Sequence, residues 1–223
     1  MQTKTIYFAG DLFDTKDLAG NVLLAQAVER LSQGSYRPKL PQDFEPREAS
    51  PIGIRDTDLL ELLTSDLAVF QFDGTDLDSG TVVEFVFAKC ADIPSVLLRT
   101  DFRKNGDQEV DPWNLMTSFY PRTETLLFKA HALYRDARQQ SGAPAPGATS
   151  EDSLAVIERV YQRVAQDLVL KLDHLAALPS LLPAADADTI FRWISRFPGF
   201  MEGPEKAFSM LSAALERRRQ SLA

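Results

Sequence analysis

The chain has 223 residues, of which 44% are hydrophobic and 25% are charged, the balance of a folded globular protein. Its 32 acidic and 24 basic residues give a formal net charge of −8, which argues against a general binder of nucleic-acid phosphates. One cysteine, Cys90, excludes an intrachain disulfide and suits a reducing compartment, and no apolar run approaches the roughly 18 residues of a membrane span.

Short β-like runs alternate with helical runs through the first part of the chain, starting with the apolar run TIYFA. This start lacks a signal-peptide layout, so we expect a cytoplasmic protein. Strands are predicted at residues 5–9, 36–40, 66–72, 95–99 and 123–128, and helices at residues 17–33 and 56–65. We therefore predict an α/β fold, a flavodoxin- or Rossmann-like open parallel sheet of about five strands flanked by helices, with an α-helical C-terminal extension.

The run DGTDLDSGTVVEFVFA, residues 73–88, places one carboxylate, Glu84, among valines and phenylalanines. Its composition favours a strand, but it lies between two predicted parallel strands, which need a crossover. We therefore predict a helix over residues 81–90, capped by Ser79 or Asp78. Such a helix is apolar on most sides, so Glu84 lies in or beside the interior, where it needs a cleft or a hydrogen-bond partner. A glutamate on a narrow exposed stripe is the alternative.

Three aspartates, Asp73, Asp76 and Asp78, follow a predicted strand directly, at the edge where parallel sheets bind ligands. Turn and capping chemistry explains one or two of them, and we expect Asp76 to be merely solvated. The spacing fits a calcium loop poorly, and the chain has no P-loop and no GxGxxG sequence. Two histidines and one cysteine leave little for zinc, so we expect no cofactor and no metal. Paired carboxylates in a cleft suit glycosyl transfer.

The composition changes near Ser141, where SGAPAPGA reads as a linker. Apolar residues then recur every three or four positions from Leu154 to Leu175, which predicts one long amphipathic helix. Two shorter helices are predicted at residues 188–196 and 204–218. The predicted units are a first domain, a linker and a helical extension, at residues 1–140, 141–150 and 151–223.

Five segments, in order, resemble the nucleoside 2-deoxyribosyltransferase family. They are IYFAGDLF, IRDTDLLELLTSDLAVF, DGTDLDSGTVVEFVFA, RTDFR and PWNLM, within roughly residues 4–130. The first domain is thus expected to be the catalytic one, and the extension lies outside the family core. Val86 stands where the family usually has glycine, and this larger side chain could shift the helix or narrow the pocket.

The resemblance implies a covalent mechanism. Glu84 would attack the anomeric carbon of a 2′-deoxynucleoside, and a second base would take the sugar with net retention. Tyr7 would hydrogen-bond Glu84, unless it is simply a core aromatic. Asp58 would contact the base and help protonate the leaving nitrogen, unless it is simply an acid near a helix N-terminus.

The resemblance also implies a substrate site. Asp78 would bind sugar hydroxyls, and Asn114 would complete the sugar site from a neighbouring subunit. Phe13 would stack on the base or only anchor its loop, and Asp73 and Gly10 lie at the ligand edge. The expected partners are 2′-deoxynucleosides, free nucleobases and further copies of the chain in a homo-oligomer with a shared active site, with no nucleic-acid polymer and no membrane. We expect the C-terminal helices to form a small bundle that enlarges the oligomer contact.

Two other functions stay open. Nucleotide N-glycosidases of the same superfamily typically have serine where Asp78 stands, and a carboxylate there repels a 5′-phosphate by about 1 kcal/mol or more. A non-catalytic nucleoside-binding module is the second alternative. The features that argue against it are the retained Tyr7, Asp58, Asp78, Glu84 and Asn114.

Overall fold

The computed structural model describes residues 3–44, 50–103, 112–140 and 150–220. Its centre is a five-stranded, wholly parallel sheet with the strand order β2-β1-β3-β4-β5. The strands are β1 (Lys4–Ala9), β2 (Tyr36–Lys39), β3 (Leu67–Gln71), β4 (Ser95–Arg99) and β5 (Thr123–Leu127). The order reverses direction between β1 and β3, which is where such sheets bind ligands. The predicted flavodoxin-like fold is confirmed.

Helices cover both faces of the sheet. In the described residues they are α1 (Thr15–Leu31), α2 (Pro41–Phe44), α3 (Pro51–Leu63), α4 (Ser79–Cys90), α5 (Ala130–Gln140), α6 (Ser150–Ala176), α7 (Ala184–Arg196) and α8 (Pro204–Gln220). A 3-10 helix spans Leu115–Thr117. The residues of β3 and β4 are almost all buried, because helices lie over both faces of the sheet and neither face of these strands is exposed to solvent. None of these described helices has the length and hydropathy needed to cross a membrane.

The C-terminal helices pack on opposite faces of the sheet. Helix α6 buries one stripe against α1 and the β-strands, namely Val164, Ala165, Leu168, Leu172 and Leu175. Helices α7 and α8 pack on each other and join the cluster on the α3–α4 side through Ala187, Phe191, Ile194, Ala207 and Leu211. The expected single bundle beside the core is therefore wrong, because each apolar stripe has its own sheet face to cover. Leu154, at the start of the expected stripe, is 66% exposed.

Hydrogen bonds at the edge of the sheet where the strands begin attach the C-terminal segments to the sheet. The Asp92 carboxylate accepts hydrogen bonds from Arg122 at 2.6 Å, from the Ser180 hydroxyl at 2.6 Å and from the Leu181 amide at 2.8 Å. Arg217 of α8 donates to Asp66 at 3.2 Å. These hydrogen bonds attach two parts of the C-terminal extension, the segment after α6 and helix α8, to the loops that precede the strands. The predicted linker lies almost wholly outside the described residues.

Candidate active site

Glu84 and Tyr7 form the central pair of the site. Helix α4 begins after Asp78, whose Oδ2 accepts the Thr81 amide at 2.7 Å and the Thr81 hydroxyl at 2.9 Å, so the predicted helix and its cap are confirmed. The helix directs the partly buried Glu84 towards β1, where the buried Tyr7 hydroxyl donates to Glu84 Oε1 at 2.6 Å. The sequence-predicted partnership of these two side chains is therefore present in the structure.

The surroundings of Glu84 favour its neutral form. Burial raises the pKa of Glu84 to about 7, and Asp58 and Asp78 push it in the same direction, while the hydrogen bond from Tyr7 lowers it. Burial and the same carboxylate neighbourhood raise the pKa of Tyr7 well above its ordinary value, so Tyr7 stays a proton donor. A carboxyl group that titrates near neutral pH is suited to nucleophilic or acid–base work.

Glu84 lies in a cavity of about 680 Å³, called the Glu84 cavity below. Four more predicted site residues line it: Gly10 and Phe13 after β1, Asp58 on α3, and Asp78 at the start of α4. Helix α3 is capped by Ser50 and starts with proline, which brings Asp58 to the cavity in its second turn. The volume lies in the range of small-molecule sites, and most of the other lining side chains are apolar.

Asp73 does not line the Glu84 cavity. Its Oδ1 accepts the amides of Thr100 at 2.6 Å and Asp101 at 2.7 Å, and its Oδ2 accepts the Thr100 hydroxyl at 2.8 Å. It borders a different cavity, of about 310 Å³, next to α1 and α6. In this structure the carboxylate joins the loops after β3 and β4, and the expected role of Asp73 at the substrate site stays a prediction.

Asn114 also lies outside the Glu84 cavity of its own chain. Its side chain accepts the Met116 amide at 2.9 Å and caps the 3-10 helix, and the residue is exposed. The expectation that it acts on a neighbouring subunit stays a prediction.

Arg99 supports the aspartate-rich loop and was missed by the sequence reasoning. It is 1% exposed at the end of β4 and donates to the carbonyl oxygens of Phe72, of Gly74 at 2.8 Å and of Arg103 at 2.9 Å. An arginine closing an otherwise apolar strand run, SVLLR, is the signal that could have revealed it, because a buried guanidinium needs several acceptors.

Two further features concern the shape of the cavity. Val86 is 44% exposed on the outer side of α4 and does not line the cavity, so its side chain does not narrow the pocket. Phe197 and Pro198, from the C-terminal extension, do line it, which the sequence pattern did not reveal. Across residues 3–44, 50–103, 112–140 and 150–220, no group of three or more His, Cys, Asp or Glu is placed to hold a metal ion.

A near-neutral carboxyl group with a tyrosine donor, in a cavity at the ligand edge of a parallel sheet, is typical of an enzyme that works by carboxylate chemistry. Residues 6–116 match the family model described as nucleoside 2-deoxyribosyltransferase. This α/β part of the chain therefore belongs to the nucleoside 2-deoxyribosyltransferase family, which confirms the resemblance seen in its motifs. No protein of curated function matches the chain.

Several solved structures are similar to the chain. A conserved protein from Enterococcus faecalis V583 is 27% identical, with a TM-score of 0.49, over 62% of this chain and 99% of its own. A 2-deoxyribosyltransferase from Leishmania mexicana is 21% identical, with a TM-score of 0.45, over 56% and 89%. A 2-deoxyribosyltransferase from the psychrotolerant bacterium Bacillus psychrosaccharolyticus is 19% identical, with a TM-score of 0.40, over 51% and 79%.

Proposed function

We propose that the protein transfers 2-deoxyribose from one nucleobase to another, with Glu84 as the nucleophile. The observation that carries this proposal is the 2.6 Å hydrogen bond from Tyr7 to Glu84 at the Glu84 cavity. The family of residues 6–116 supports the same class of reaction.

The reaction runs in two balanced steps. A carboxylate oxygen of Glu84 forms a bond to C1′ of a 2′-deoxynucleoside, and the bond from C1′ to the base nitrogen breaks, leaving its electron pair on the base, which takes up a proton. The nitrogen of a second base then attacks C1′ and gives its proton to Asp58, the ester bond breaks, and Glu84 returns as a carboxylate. Two displacements on opposite faces give net retention.

The other cavity carboxylates divide the remaining tasks. Asp58, whose charge acts on both Glu84 and Tyr7, contacts the base and helps protonate its leaving nitrogen. Asp78 uses Oδ2 to cap α4, and its other oxygen binds a sugar hydroxyl. Tyr7 holds the attacking oxygen of Glu84 in one orientation.

The charge of the cavity favours nucleosides over nucleotides. Among its described lining residues, three carboxylates face a single basic side chain, Arg55, which already pairs with Asp56 at 2.5 Å. A phosphate dianion would therefore meet net repulsion. This is the reason to rank a 2′-deoxynucleoside 5′-monophosphate N-glycosidase second.

We also propose that the protein works as a homo-oligomer. Large apolar side chains beside the exposed Asn114 are themselves exposed, namely Leu115, Met116 and Phe119. An exposed apolar cluster of this kind marks a protein contact surface. A second copy of the chain covers it and receives Asn114 at its sugar site, as the resemblance to the family implies.

The oligomer is tested by Met116→Glu, which places a charge in the proposed contact. Light scattering should show smaller particles, and base exchange should slow, because each site then lacks its neighbour. Met210→Glu, a partly exposed methionine of α8 outside the cluster, is the matched control. An unchanged particle mass and rate in Met116→Glu would refute the shared site.

The reaction itself is tested by incubating the purified protein with deoxyinosine and free adenine, followed by chromatography. A new nucleoside, deoxyadenosine, is expected from the wild type and not from Glu84→Ala. Asp76→Asn, an exposed acid of the same loop that does not line the cavity, should keep activity. Hydrolysis without exchange at saturating adenine would favour the N-glycosidase. No turnover across nucleosides and nucleotides would favour a binding module.

A further inference from the structure

The C-terminal extension reaches the Glu84 cavity, although it lies outside the residues that match the family model. Phe197 and Pro198, directly after α7, line this cavity together with Glu84. We call these two residues the extension wall. The Phe197 ring lies 5.8 Å from the ring of Phe87, which follows Glu84 by three residues on α4. The extension wall therefore stands beside the helix that carries the proposed nucleophile.

The segment that carries the extension wall is fixed to α3 at several points. The Met201 amide donates to Asp56 Oδ2 at 2.7 Å, and Asp56 is 7% exposed. Arg55 binds the same carboxylate and also donates to the Gly199 carbonyl at 3.3 Å. Phe200 is buried in the cluster that contains α3. The wall is therefore a docked part of the fold, held by α3, which also presents Asp58 to the cavity.

The turn that follows the wall depends on two glycines. Gly199 has a φ of +67° and Gly203 a φ of +86°, a left-handed conformation that side chains with a Cβ rarely adopt. The chain can therefore reverse between α7 and α8 within a few residues, which holds Phe197 over the cavity while Phe200 turns into the core.

Within the part of the chain that the structure describes, the Phe197 ring is only partly covered by other side chains. The residue is 62% exposed, although its ring meets Phe87 and Trp193, and Phe13 in the same cavity is 77% exposed. Exposed aromatic side chains that line one cavity offer flat surfaces on which a heterocyclic base can stack. The carboxylates of the cavity, by contrast, suit the hydroxyl groups and the reacting carbon of a sugar.

From this geometry we infer that Phe197 forms part of the nucleobase subsite and sets base preference, with the C-terminal extension thereby supplying one wall of the site. The inference rests on the proposed function, because it assigns the base end of the same cavity. Purines present two fused rings to the Phe197 face and pyrimidines one, so stacking favours purines.

The experiment measures equilibrium binding of hypoxanthine and cytosine to the full chain by calorimetry, beside base exchange by chromatography. Phe197→Ala should weaken hypoxanthine binding by about tenfold or more and cytosine binding less, as expected for loss of one stacking face. Phe197→Trp should keep purine binding, which a purely structural role would not predict. Phe102→Ala is the matched control, because Phe102 is as exposed as Phe197, at 62%, and does not line the cavity, so this variant should bind hypoxanthine like the wild type.

The outcomes separate this inference from the proposed function. Base exchange by the wild type, with hypoxanthine binding unaffected by Phe197→Ala, overturns the inference alone. Binding that depends on Phe197 without any turnover supports the inference and overturns the proposed function. No base binding and no base exchange by the wild type would overturn both, and equal losses in Phe197→Ala and Phe102→Ala would overturn the inference. If Phe197→Ala does not fold, Phe197→Leu, which keeps apolar volume without an aromatic face, gives the same comparison.

Discussion

Replacing Tyr7 by phenylalanine should change the pH at which the enzyme works. The variant keeps the aromatic ring in the core and removes the hydroxyl that donates to Glu84 Oε1 at 2.6 Å. This hydrogen bond favours the charged carboxylate, so its loss raises the pKa of Glu84 above its present value of about 7. Since the proposed nucleophile, Glu84, must be ionised to attack, we expect activity at neutral pH to fall and to return at higher pH.

The size of the effect follows from the strength of the bond. A hydrogen bond to a charged group contributes roughly 1.5–3 kcal/mol, and about 1.4 kcal/mol corresponds to one pH unit. The midpoint of the pH–rate profile should therefore move upward by about one to two pH units. At pH 7 the ionised fraction of Glu84, and with it the rate, should fall by roughly 5- to 50-fold.

The assay is release of hypoxanthine from deoxyinosine in a single turnover, followed across pH by rapid quenching. Tyr36→Phe is the matched control, because the Tyr36 hydroxyl also donates to a carboxylate, Asp173, at 2.6 Å, and it does not line the cavity. Its profile should coincide with that of the wild type. A Tyr7→Phe midpoint that stays in place or moves down would refute the orienting and charge-stabilising role of Tyr7.

Three other changes have defined outcomes. Glu84→Gln should raise the free energy of unfolding by about 2–3 kcal/mol at pH 8 in urea titrations. Because the pKa of Glu84 is raised to about 7 in the folded protein, protonation of Glu84 stabilises the wild type fully below about pH 4.5, and this stabilisation is lost as the pH rises through about 7. The advantage of Glu84→Gln over the wild type should therefore vanish at low pH. A gain that does not depend on pH would contradict this reading. A chain that ends at Gln140 should show no folded structure by circular dichroism, because both faces of its sheet lose the helices that cover them. Burial of the α6 side chains contributes about 1.5–3 kcal/mol for each large one, and the sum of these contributions approaches the net stability of a domain. A folded, active shorter chain would show that the extension is a separate module. Asp78→Ser keeps a good helix cap and removes a charge, so the ratio of 5′-monophosphate to nucleoside turnover should rise; an unchanged ratio would contradict the charge argument.

The sheet and the helix that carries Glu84 were predictable from local patterns. Strand runs with Gly, Pro or Asp at their ends, and the need for a crossover between β3 and β4, were enough to place α4 and to limit its cap to Ser79 or Asp78. The partnership of Tyr7 with Glu84 came from the family motif rather than from periodicity. Helix α5 was not predicted, and its segment AHALYRDARQQ is rich in polar residues, which weakens the apolar signal.

Contacts between distant parts of the chain were not predictable. An apolar stripe shows that a helix must be covered, but it does not show which surface covers it, so α6 and the pair of α7 and α8 were wrongly placed in one bundle. For the same reason nothing in the local sequence linked Phe197 to the cavity. The bonds from Asp73 to the loop after β4 were not predictable either, because an aspartate after a strand has the same local sequence pattern whether it binds a ligand or a neighbouring loop.

In the proposed reaction, Glu84 carries the sugar between the two bases. The most direct measurement is a rapid acid quench of the enzyme mixed with deoxyinosine in the absence of an acceptor base, followed by mass spectrometry of the intact chain and of its peptides. We expect one 2-deoxyribosyl group per chain, located on the peptide that contains Glu84 and absent from Glu84→Ala. Release of hypoxanthine at the full single-turnover rate with no modified chain, or a sugar attached to a different residue, would contradict it.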